Sequence, residues 1–172
     1  MANNYVGKLF LDNSNRLLLS GVPVIIISRK FFAGLQKSIE EIFGVMGTKI
    51  AFHRVGYNFG YKFAEKQLRR KNLTSRDIVR ALFRLSMQRG WGFFELISLD
   101  EEKMEARFRI SRSYGEEYGN VGRDVCYIWQ GIFMGVLQAI ANFHGKNIRI
   151  RCNEEKCVGK GDPYCEFLLF PL

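Results

Sequence analysis

A chain of 172 residues, 47% apolar and 25% charged, is long enough for one well-buried core and too short for two ordinary ones, so a single domain over 1–172 is expected. Three prolines and the lack of any low-complexity stretch exclude collagen, linker and disordered-tail classes. The 26 Lys and Arg against 17 Asp and Glu give a formal charge of +9, which favours anionic partners, whether nucleic acid, headgroups or acidic small molecules.

The first residues, 1–5, carry no basic and apolar leader, which points to a cytoplasmic protein. Short extended pieces are expected at 16–19 and 22–27, either side of a Ser20-Gly21 turn. Ser28 can cap a helix with Phe31, Leu35, Ile39 and Ile42 on one side, running to Gly44. A second, longer helix over 48–70 carries Gly56 and Gly60 four residues apart, a spacing that invites close packing by another element. Thr74-Ser75 opens a third helix, with Asp77 in its first turn and Ile78, Leu82 and Leu85 on its buried face, ending at Gly90.

The period then changes. Residues 91–99 read as a strand, 100–103 as a hairpin loop, and Met104, Ala106, Phe108 and Ile110 alternate with charged residues. A Gly-rich loop at 115–122 precedes an uncharged helix over 125–143, which holds Gly131 and Gly135. Gln130, Gln138 and Asn142 favour a buried core helix there over a membrane span. Strands at 148–152 and 165–170 complete an α+β chain, with helices packed on an antiparallel sheet.

All four cysteines, Cys126, Cys152, Cys157 and Cys165, fall in the last third. Gly159, Gly161 and Asp162-Pro163 fold Cys157 and Cys165 toward one point. Strand parity turns Cys152 inward, and Cys126 lies in the first turn of the uncharged helix, whose amides would lower its pKa. Thiolates at tetrahedral corners suit Zn²⁺, and Arg149, Arg151, Lys156 and Lys160 stand close in sequence to offset the charge. Buried small hydrophobes with incidental thiols are the alternative.

The segments 126–135 (CYIWQGIFMG) and 154–165 (EEKCVGKGDPYC), with GYNFGY at 56–61, resemble the 4-vinyl reductase domain family of bacterial phenol-sensing activators and archaeal stand-alone proteins. The resemblance covers about 56–172. It implies a fold shared with small subunits of the vesicle-tethering transport particle and with nitric-oxide-signalling ligand-binding domains, formed as a homodimer around an apolar pocket. It also implies a zinc site in which Cys126, Cys157 and Cys165 match three ligands and Glu154 the fourth. This chain additionally offers Cys152, which sulfur's softness favours over Glu154. Candidate pocket groups for an aromatic effector are His53, Tyr57, Tyr61, Trp91, Phe94, Phe108 and Trp129, with ordinary core packing as the alternative.

The leading functional expectation is therefore a zinc-containing module that binds or senses a small hydrophobic or aromatic molecule as a homodimer and signals to a partner protein. A nucleic-acid reading rests on Arg76, Arg80 and Arg84 along one helix and on the strand pairs Arg107/Arg109 and Arg149/Arg151, without a recognition-helix motif. The family's name also raises a tetrapyrrole vinyl reductase accessory role. No GxGxxG follows a strand to supply a hydride cofactor, so no catalytic residue is named and an enzyme is not favoured.

Overall fold

The computed structural model describes residues 9–19, 21–70 and 73–172, so residues 1–5 and Ser20 of the expected turn fall outside it. Three short strands, β1 (Leu9–Leu11), β2 (Leu17–Leu19) and β3 (Val22–Pro23), form a small antiparallel sheet. Its first turn is closed by the Asp12 carboxylate, which accepts the amides of Ser14 and Arg16.

Helix α1 then runs over Arg29–Leu68. The Ser28 hydroxyl caps it by accepting the Phe31 amide at 3.1 Å. The two helices expected either side of 44–48 are one element kinked at Gly44, whose φ of 71° and ψ of 164° leave the helical region that a side-chain-bearing residue would hold. Helix α2 (Ser75–Gln88) begins at the expected Thr74, in a full capping box with Asp77.

The second half builds a four-stranded antiparallel sheet from β4 (Phe93–Asp100), β5 (Glu105–Ser111), β6 (Ile150–Lys156) and β7 (Cys165–Pro171), in the order β4-β5-β7-β6. Between β5 and β6 the chain forms a short 3-10 helix (Tyr114–Tyr118) and then α3 (Tyr127–Phe143). Alternation puts Ala106, Phe108 and Ile110 of β5 and Phe167 and Leu169 of β7 on the covered face. There Phe133 of α3 meets Phe108 and Phe167 at ring-centroid distances of 4.8 and 5.0 Å.

Because α3 is apolar on nearly every side, it can be buried by the sheet below and α1 above at once. Its contact with α1 is backbone to backbone: a Cβ on Gly56 would lie 2.2 Å from the Ile128 carbonyl oxygen, and one on Gly131 would lie 2.1 Å from that of His53. Gly60 and Gly135 repeat the arrangement one turn on. The two glycine pairs thus face one another across a helix crossing. Among the described residues no helix is long and apolar enough to cross a membrane.

Candidate metal centre and adjoining cavity

Four acidic side chains from three parts of the fold converge under α3. Cys126 sits at the residue preceding the helix, Glu154 on β6, Cys157 just after β6 and Cys165 at the start of β7; their ligand atoms all lie within 4.8 Å of one another and every one of these residues is buried. The sulfur of Cys165 is 3.4 Å from that of Cys126 and 3.9 Å from that of Cys157. Tetrahedral zinc with Zn–S bonds of about 2.3 Å places sulfurs about 3.8 Å apart, so the spacing fits the donor set.

The surroundings are arranged around these donors. The turn after Cys157 sends the Val158 amide to the Cys165 sulfur at 3.5 Å and the Gly159 amide to the Cys157 sulfur at 3.4 Å, while Asp162 accepts the Cys157 amide and closes the turn. Gly159 is required there, since a Cβ would meet the Arg123 carbonyl oxygen at 2.6 Å. One oxygen of Glu154 accepts from the Gln130 side-chain amide at 2.8 Å, and the other is buried with no hydrogen-bond partner. A buried, unpartnered carboxylate oxygen beside three sulfurs is costly unless a cation completes it. The four side chains present fit a metal ion in donor type, in spacing and in the unpartnered Glu154 oxygen.

Cys152 does not join them. It lies on the same face of β6 as Glu154 but pairs with Leu169, two positions farther along β7 from Cys165 than the Phe167 opposite Glu154. The expectation that it supplies the fourth donor gives way to Glu154 in the cluster geometry. The expected acidification of Cys126 is also reversed. Hydrogen bonds to Cys157 and Cys165, with burial, push its thiol well above the usual range, and hydrogen bonding from Cys126 and Cys165 instead holds Cys157 far below it. Burial likewise pushes Glu154 well up. Of the four expected cations only Lys160 comes close, donating to the Glu154 carbonyl and pairing with Asp124; Lys156 donates to Tyr164, and Arg149 and Arg151 are exposed.

Residues that sequence reasoning overlooked tie this cluster to α1. The Ser113 hydroxyl stands 3.8 Å from the Cys126 sulfur, and its carbonyl accepts from Arg29. The Gln36 amide and the Tyr114 hydroxyl both donate to the carbonyl of Val125, the residue before Cys126. Gln130 carries a legible signal, because a position four after Cys126 shares its helix face.

One turn from Cys126, Trp129 lines an apolar cavity of about 200 Å³ between α1, α2 and α3. Val55, Gly56 and Phe59 supply its α1 wall, Leu85 and Ser86 its α2 wall, and Ile128 and Ile132 its α3 wall, with Arg89 and Trp91 from the segment after α2. Trp91 and Trp129 meet edge to face at 5.7 Å. Of the seven expected pocket groups only these two line it. Phe94 and Phe108 are core residues packed on Phe83, and His53, Tyr57 and Tyr61 fall outside the lining, where Tyr57 stacks on Tyr61 and the Tyr61 hydroxyl accepts from Asn142.

The arginines of the nucleic-acid reading are divided. Arg107 and Arg109 both bind Glu166, and Arg76 donates to the Leu99 carbonyl, whereas Arg80, Arg84, Arg149 and Arg151 are exposed.

Comparisons with known proteins place this geometry. An uncharacterized protein of Methanocaldococcus jannaschii is 26% identical over 125 residues, covering 72% of this chain and 65% of that protein, so the match spans less than two thirds of that relative's length. The phenol-responsive sensory domain of the transcription activator PoxR with phenol superposes with a TM-score of 0.79 at 20% identity, over 98% of this chain and 87% of that one. A vinyl-4-reductase family protein from Methanocaldococcus jannaschii gives 0.57 at 19% identity, over 87% of this chain and 84% of that one. The fold is also that of a trafficking protein particle complex subunit 3 from Naegleria fowleri and an H-NOX protein from S. oneidensis. The fold class is therefore α+β, helices packed on an antiparallel sheet, with a 4-vinyl-reductase-like arrangement. Residues 10–97, just over half of the chain, match the family described as a domain of unknown function (DUF5943), and the chain belongs to that family.

Proposed function

We propose that this DUF5943 member is a zinc-stabilised module of the 4-vinyl reductase type that binds a small apolar or aromatic molecule as a cytoplasmic homodimer and signals its occupancy to a partner protein. The observation that carries the reading is the placement of both sites on one helix: Cys126 enters the buried donor cluster at the start of α3, and Trp129, one turn on, lines the cavity. The phenol-sensing domain with the same fold supports an aromatic guest, and a cavity somewhat larger than the ~150 Å³ engineered void that takes up benzene has room for one ring. Zinc, when bound, supplies a structural cross-link rather than a reactive water, since four protein donors fill a tetrahedral shell. Those donors join the β6–β7 turn to the start of α3, fixing the helix that forms one cavity wall.

Homodimer formation is supported by the exposed apolar side of α1 before its kink. Phe31, Ile42 and Phe43 are each more than 60% exposed there, as is Met46 just after the kink, beyond what isolated surface residues account for. Native mass spectrometry of protein purified without added metal tests all three parts. The expected species is twice the 19.9 kDa chain with one zinc per chain and a co-purified or added aromatic guest. A metal-free, fully folded monomer that takes up no guest would overturn the reading.

A further inference from the structure

The polar groups around the cavity are almost all donors. Arg89 and the indoles of Trp91 and Trp129 can only donate, and the Ser86 hydroxyl gives its hydrogen to the Leu82 carbonyl. No carboxylate, amide oxygen or histidine side chain is among the lining residues. Two of the donors also lack a partner. The Trp129 Nε1–H is buried without an acceptor, in a residue only 2% exposed, and among the described residues Arg89 forms no salt bridge. A guanidinium without a salt-bridge partner beside apolar walls attracts whatever anion the cavity admits. Arg89 is itself exposed, and the partial burial it has lowers its guanidinium pKa from the usual range.

We infer that the ligand is an acid: a small aryl or arylalkyl carboxylate whose ring fills the space between Trp91, Trp129 and Ile132 and whose carboxylate is bound by Arg89. This rests on the cavity being a ligand site, as proposed above, and adds the charge of the guest. Volume restricts the body to about one ring, and a lining that holds a cation but no carboxylate or amide-oxygen side chain selects an anionic acceptor over a neutral phenol or hydrocarbon. A basic chain, with a formal charge of +9, also favours the approach of an anion.

The chain has two tryptophans, and both line the cavity, so intrinsic fluorescence reads its occupancy. The purified full chain should be titrated with 3-phenylpropanoate, its methyl ester and phenol. The acid is expected to saturate the tryptophan signal at a concentration about tenfold or more below the ester, and Arg89→Gln should erase that preference by weakening the acid alone. Arg89→Lys, which keeps the charge without the fork, should retain part of it. Saturation by phenol or ester with equal or weaker binding of the acid overturns this inference and leaves the cavity reading standing, as does an acid preference that survives in Arg89→Gln. If none of the three probes gives a saturable change, the cavity reading falls and this inference falls with it.

Discussion

The fourth member of the buried donor cluster turns on one question: which of two inward-facing residues on β6 lies level with Cys165. Parity puts Cys152 and Glu154 on the same face, and sulfur's softness argues for the cysteine. Successive inward positions are, however, about 6.6 Å apart along a strand, farther than either side chain can adjust to reach the same ion. Register brings Glu154 rather than Cys152 into the cluster, and register depends on how β6 pairs with β7, which no local pattern in the chain discloses. The turn glycines and the convergence of Cys157 and Cys165 were legible because they are local. Ser113 was not, because what it touches comes from distant parts of the chain, and Gln130 was legible only as a position on the Cys126 face of α3, not as the partner of Glu154. Cys152→Ser is therefore expected to keep one zinc per chain, whereas Glu154→Gln, which replaces a carboxylate oxygen with a neutral amide, should lower metal content or raise sensitivity to a chelator. Gln130→Ala frees the carboxylate without removing it, and loss of such a supporting hydrogen bond weakens metal affinity by roughly 10–100-fold. Metal analysis after dialysis against a graded chelator series separates the three.

At the scale of whole elements, the glycine spacings in α1 and α3 were visible in the chain, while their mutual fit was not. Four-residue glycine pairs announce close approach without naming the partner; here each pair is the other's partner. That crossing also explains why the aromatic stripe His53, Tyr57 and Tyr61 is not the cavity wall. The cavity opens on the Val55 and Phe59 side of the Gly56 contact, and helical periodicity alone does not say which flank of a contact is left open. Gly131→Ala sets a methyl group against the His53 carbonyl, a fixed backbone atom that cannot rotate away. It should lose at least the ~3 kcal/mol upper end of ordinary overpacking, seen as a lower denaturant midpoint, while Gly34→Ala, where a Cβ meets nothing within 4 Å, should be neutral or slightly stabilising. On the outer face of the sheet, burial pushes the Glu166 carboxyl up, but hydrogen bonds from Arg109 and Arg107 more than offset it and hold it below the usual range. A depressed folded value contributes stability present above the unfolded pKa and lost as pH falls through the folded one. Acid titration of unfolding should accordingly show a limb below about pH 4.3 that Glu166→Gln flattens.

For the whole molecule, the exposed apolar surface lies mainly toward the amino-terminal end, where Phe31, Leu35 and Ile42 follow helical spacing along α1 before Gly44, and Met46 and Ile50 continue beyond it. These positions were legible as a helix, and their period implies a buried face. What covers them is not this chain's own sheet, which already lies under α3. A second copy laid along the same stripe buries it by symmetry, the ordinary solution for a self-complementary patch. Helix α1 also connects that stripe to both sites: Gln36 bonds the residue before Cys126, and Val55 and Phe59 wall the cavity. A guest that changes how α1 packs on α3 therefore acts on the element through which two copies would meet, and by reciprocity dimer formation should change guest affinity by the same factor by which the guest changes dimer affinity. Ile42→Glu, at a site 72% exposed in the single chain, adds a charge where nothing in the monomer is disturbed. It should convert a dimer to a monomer in analytical ultracentrifugation while leaving the circular dichroism spectrum and the thermal midpoint of the metal-loaded chain within a few degrees. Loss of secondary structure in that variant would show instead that the stripe is covered within the chain itself. If sedimentation is unchanged, the stripe is not where two copies meet.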